Sequence, residues 1–136
     1  MTVLQLHLIS VSFWFGLVSA EVVLELSARD EPSRRFVAKV HKWIDILFEI
    51  PVVILVIASG ALLLSQVWPG SSLLLIKVVL GMVAITANFM CFQFVHSRAG
   101  AKDDARIQAM TRRVLMTGLA FPIGIAAFVI GIGFLN

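Results

Sequence analysis

The chain has 136 residues, 60% of them hydrophobic and only 14% charged, with a mean hydropathy of +0.99. So apolar a composition excludes a soluble domain of this size and reads as an integral membrane protein. The single Cys91 excludes an intramolecular disulfide and a Cys-rich metal site, and the net charge of +3 marks membrane topology, not a nucleic-acid partner, because the basic residues cluster between apolar segments.

Four stretches are long enough to cross a bilayer, for which about 20 apolar residues are needed: about residues 3–26, 43–67, 73–95 and 114–135. The expected fold is all-α, a single polytopic domain over residues 1–136 arranged as an up-down bundle of four transmembrane helices. In the first stretch His7, Ser10, Trp14, Val18, Glu21 and Glu25 recur at steps of three and four. That spacing makes one inward-facing stripe. The run "LVSA" at residues 17–20 looks like a signal cleavage site, but no basic region precedes it and the apolar run is too long, so the segment is read as a helix.

A basic connection follows, with Arg29, Arg34, Arg35, Lys39 and Lys42, and leads into "HKWIDILFEIP". There His41, Asp45 and Glu49 lie four residues apart, on one face of a helix. Pro51 has no N–H, so the Leu47 carbonyl is left free at that level. The next connection, "VWPGSS", is an uncharged Pro-Gly turn, and Trp68 suits an interfacial belt. The third stretch presents Lys77, Gly81, Ala84 and Asn88, continued at the same spacing through Phe92 to His96; its small residues allow close approach of a neighbour or a flat ligand. A second basic connection holds Arg98, Lys102, Arg106, Arg112 and Arg113, and the fourth stretch offers Thr117, Gly118, Gly124 and Gly131. The positive-inside rule places residues 27–42 and 98–113 in the cytoplasm, and Met1, Pro69 and Asn136 outside.

At 1.5 Å per residue the polar groups fall at two depths. His7 and Lys77 lie near the outer face; Glu21, Glu25, His41, Asp45, Glu49 and His96 lie near the inner one. Glu25, His41 and Asp45 are close enough to the interface to pair with Arg35, Lys39, Lys42, Arg112 or Arg113. Glu21 and Glu49 are deeper, where a carboxylate must be paired, metal-bound or protonated. Lys77 can snorkel, and Cys91 and the methionines suit packing.

Two site chemistries fit. A b-type haem needs nitrogen ligands, a flat apolar slot and cations for its propionates, which His7, or His41 with His96, together with Lys77 and the glycines can supply. A copper or iron ion instead suits Glu21, Glu25, His41, Asp45, Glu49 and His96, although the Glu-x-x-His signature of di-iron bundles is absent.

The stretch "LHLISVSFWFG", with His7, Trp14 and Gly16, resembles the first helix of small membrane proteins related to the copper-resistance protein D and HemJ-type protoporphyrinogen oxidase families. "LLLIKVVLG" is similar to their third helix at Lys77, while Asn88 stands where the HemJ-type pattern has a further His. The resemblance covers about half the chain. It implies a haem-associated or copper-handling role, with His7 as ligand and Lys77 as the cationic residue. The resulting expectation is a bacterial inner-membrane protein that binds haem b or a related porphyrin and takes part in redox chemistry as a haem-dependent oxidoreductase. Its alternatives are a metal-ion binding or transport protein and a non-catalytic membrane subunit. The expected partners are the lipid bilayer and a porphyrin or redox partner, with self-association allowed.

Overall fold

The computed structural model describes residues 1–133 as four helices, α1 (Val3–Ser27), α2 (Glu31–Val67), α3 (Ser72–Ala99) and α4 (Asp104–Gly133), each long and apolar enough to cross a membrane. The protein is an all-α, multi-pass membrane bundle of four helices. Residues 134 and 135 of the expected fourth helix, and Asn136, lie outside the described residues.

The helices start on side-chain caps. Thr2 and Gln5 close a reciprocal box at the start of α1, Asp30 and Ser33 do the same for α2, and the Ser71 hydroxyl accepts the Leu74 N–H at α3. Asp103 accepts from the Ala105 N–H at α4. The Ser33 hydroxyl and backbone N–H together hold the Asp30 carboxyl below its usual range.

Two of these starts correct the sequence expectation. The basic segments expected as loops are mostly helix: α2 begins twelve residues before Trp43, and α4 ten before Val114. Hydropathy marks only the apolar part of a helix, whereas the Asp30–Pro32–Ser33 cap and the buried face of Val37, Ala38 and His41 carry α2 beyond it. The connections at the basic end shrink to short links, and Arg34 ties the two helical extensions together by pairing with Asp104 at 2.8 Å.

α1 lies against α2, α3 against α4, and α2 joins the two pairs through α3; the seam between α1 and α4 is the loosest side. Val11, Trp14, Val53, Val56 and Ala84 form the core, with Phe15 edge-on to both Phe121 and Phe128 at 5.5 Å. Ile9, Phe13, Ile54, Val79, Phe89 and Val129 are among the apolar side chains left exposed, as a lipid-facing surface requires.

Two prolines modify the helices. Before Pro51 the chain takes a π turn over Asp45–Glu49, in which the Ile50 N–H bonds the Asp45 carbonyl. Before Pro122 it tightens to a 3₁₀ turn over Gly118–Ala120, where the Phe121 N–H takes the Gly118 carbonyl that Pro122 cannot reach. Close packing falls at Gly124, where a Cβ would meet Phe15 at 3.2 Å and Ala84 at 3.3 Å. Gly81, expected to do this, faces open space.

Candidate metal centre and its adjoining cavity

Every buried ionisable side chain among the described residues belongs to one cluster: Glu21 and Glu25 from α1, His41, Asp45 and Glu49 from α2, and Arg98 from α3, all at most 5% exposed. The inward stripe of α1 delivers the two glutamates at i and i+4. On α2, steps of four would rotate each successive residue by about 40° off the face of a regular helix. The π turn takes up an extra residue within the turn and brings Asp45 and Glu49 back under His41.

Arg98 grips Glu25 with two bonds, Nη1 to Oε2 at 2.7 Å and Nη2 to Oε1 at 2.5 Å, and Nη1 also reaches Thr111 at 3.0 Å. By sequence Arg98 belongs to a basic connection. It sits instead inside α3 and is 1% exposed, because the helix continues to Ala99 and the true inward face runs through Ala84, Asn88, Cys91, Val95 and Arg98. Alternating steps of three and four hold a face, whereas the two steps of four through Phe92 to His96 leave it. His96 is therefore half-buried beside the cluster's face: its ring lies 4.0 Å from that of Phe92 and its Nδ1 bonds the Phe92 carbonyl. Glu25 thus pairs with Arg98 and not with Arg35, Lys39, Lys42, Arg112 or Arg113.

His41 Nδ1 donates to Glu25 Oε1 at 2.5 Å. Its Nε2 lies 3.6 Å from both Glu21 Oε2 and Asp45 Oδ1, within ion-pairing distance of each. Neither Nε2, nor Glu21 Oε1, nor either Asp45 oxygen has a hydrogen-bond partner. Glu21, His41 and Asp45 each offer a ligand atom within 4.8 Å of the other two. Metal–ligand bonds of about 2.1 Å at tetrahedral angles place ligand atoms about 3.4 Å apart, so the 3.6 Å separations suit a cation between them. Glu25 behind His41 supplies the carboxylate that fixes the imidazole of a metal ligand.

Glu49 differs. Its Oε1 accepts from Trp14 Nε1 at 3.2 Å and from Asn88 Nδ2 at 2.7 Å, both uncharged donors. It borders a part-open cavity along the α1–α4 seam, with Glu21, His41 and Asn88 at its polar end and Phe15, Val18, Leu115 and Phe121 among its apolar walls.

The other expected ligands are elsewhere. His7 packs on Gly60 and bonds through Nδ1 at 2.9 Å to Ser59, eighteen residues beyond His41 along α2, or about 27 Å at 1.5 Å per residue. Lys77 lays its stem across Gly131, where a Cβ would come within 2.8 Å of Cε. The histidines are thus divided between the two ends of the bundle.

No family model, curated protein or solved structure matches this chain. The likeness at His7, Trp14, Gly16 and Lys77 rests on those residues alone.

Proposed function

We propose that the protein is a membrane metal-ion-binding protein whose centre is Glu21, His41 and Asp45, with Glu25 and Arg98 holding His41 in place. The observation that carries this reading is the set of unpartnered donor atoms on three buried side chains that face one another. Buried polar atoms are normally hydrogen-bonded, and two buried carboxylates set around a single imidazole leave a negative excess that calls for a cation or a proton. Four carboxylates share the cluster with one guanidinium and one imidazole, an excess of negative charge that a divalent ion reduces. Two carboxylates and an imidazole suit a first-row ion such as iron(II) and lack the soft sulfur ligands that select copper(I).

The cluster lies at the end of the bundle that carries the basic connections. Under the positive-inside rule that end faces the cytoplasm of a bacterial inner membrane, with both termini outside. The ion then sits within reach of the cytoplasmic face, which is consistent with binding or with transport across that side.

Elemental analysis of mildly purified protein tests the reading. About one non-haem ion per chain is expected, lost in His41→Ala and Asp45→Asn while far-UV circular dichroism stays helical. An absorption spectrum of the same sample reads the haem alternative: a Soret band that vanishes in His7→Ala transfers the function to the other end of the bundle. Protein holding neither metal nor porphyrin, even after incubation with iron(II), overturns both and leaves a non-catalytic subunit.

A further inference from the structure

We infer that the cavity between α1 and α4 is a binding site for a lipid-soluble monovalent cation, with its charge against Glu49 and its apolar body between Phe15, Val18, Leu115 and Phe121. Three observations converge. Arg98 is taken up by Glu25, and the ion proposed above would take up two more carboxylates at Glu21 and Asp45. Glu49 is then the remaining carboxylate, 3% exposed, with the Asp45 carboxyl beside it and with the neutral side chains of Trp14 and Asn88 donating to it. If the metal site is empty the negative excess is larger, so the inference does not depend on the metal.

The second observation is Glu21 Oε1, which is buried, has no hydrogen bond and belongs to a residue lining the same cavity. Its charge adds to that of Glu49 at the polar end of the cavity when the metal site is empty. The third is the wall. Away from the polar end formed by Glu21, Glu25, His41, Glu49 and Asn88 the lining is mostly aliphatic and aromatic, and the cavity lies at the least closely packed side of the bundle. A cavity with carboxylates at one end and largely apolar walls elsewhere favours a cation that brings its own hydrocarbon over a small hydrated ion, which would have to shed its water against those walls. Aromatic faces add attraction for a weakly hydrated cation. Small residues at Ala87 and Gly118 leave the volume open.

The experiment uses tetraphenylphosphonium and its anionic twin of the same shape, tetraphenylborate, on the full chain in detergent. Trp43 and Trp68 are exposed, so Trp43→Phe with Trp68→Phe leaves Trp14, which lines the cavity, as the reporter. Tetraphenylphosphonium should change Trp14 fluorescence saturably at one ion per chain, and tetraphenylborate should not. Glu49→Gln should weaken the response at least tenfold, as should Ala87→Phe, which fills the cavity and leaves the carboxylate in place; Glu31→Gln, at the exposed start of α2, should not. Equal responses to both ions, or an unchanged response in Ala87→Phe, overturn the inference even if Glu49→Gln fails to fold. Treatment with a metal chelator separates the two proposals: the phosphonium response should persist or strengthen in stripped protein, and it should appear equally in protein that never held metal.

Discussion

Replacing Arg98 by Ala tests whether the cluster is a dry, paired network. The Arg98 and Glu25 side chains are 0% and 2% exposed, so solvent does not discount their interaction. Removing one partner of a buried ion pair costs about 3–5 kcal/mol, because the other charge is left unpaired. Glu25 still has His41 at 2.5 Å, which places the expected loss near the lower bound, about 3 kcal/mol. For a chain of this length each kcal/mol moves the melting temperature by about 3 °C, so the shift should be roughly 10 °C downward. The assay is thermal unfolding in detergent followed by circular dichroism, run on Arg98→Ala, Glu25→Leu and the double variant. Because the cost lies in the orphaned charge and not in the lost contact, the double variant should be more stable than Arg98→Ala alone. A shift below about 3 °C for Arg98→Ala, or a double variant whose loss is the sum of the singles, would refute the buried pair.

Asp45→Asn should make the melting temperature insensitive to chelator, whereas the parent should melt lower once metal is removed; with ion at 100 times Kd the difference is about 2.7 kcal/mol. A parent that melts identically with and without chelator argues against a bound ion. Gly124→Ala should cost about 1–3 kcal/mol by overpacking Phe15 and Ala84, while Gly81→Ala, facing open space, should be neutral or stabilising by up to about 1 kcal/mol; unfolding curves of the two read the contrast directly. In a Cys91→Ser background, Lys102→Cys should resist an impermeant thiol reagent in intact cells and Ser71→Cys should react. The reverse pattern inverts the proposed topology.

Much of the fold was legible because lipid imposes simple demands. Backbone groups must be satisfied within each segment, so length and hydropathy are enough to find α1 to α4. The ends were less visible, since α2 and α4 continue as amphipathic helices through the basic segments that hydropathy reads as loops. The steps of three and four that mark Ser10, Trp14, Glu21 and Glu25 identified a face that is in fact buried. Steps of four succeeded for His41, Asp45 and Glu49 and failed for Phe92 and His96. The difference is the π turn in α2, which corrects the drift, and its absence from α3. Pro51 is the visible sign: besides the carbonyl it cannot bond, it accompanies a wider turn. Arg98 was hidden by a rule that treats basic residues near a segment end as topology markers. Strict periodicity from Ala84 through Asn88, Cys91 and Val95 reaches it. The roles of Trp14 and Asn88 as donors to Glu49 depend on contacts across the bundle, which no single helix records.

The wide turn over Asp45–Glu49 also couples places that never touch. Everything on α2 beyond it, including Val53, Val56 and Ser59, points where it does only because one more residue than usual was consumed before Pro51. Losing a single residue there would turn the rest of the helix by about 100°, and Ser59 would swing away from His7 at the far end while the inner carboxylates stayed near their places. The phase between the two ends of the molecule is thus set by a count, and this helix has less freedom to gain or lose residues than its sequence-tolerant, lipid-facing side would suggest.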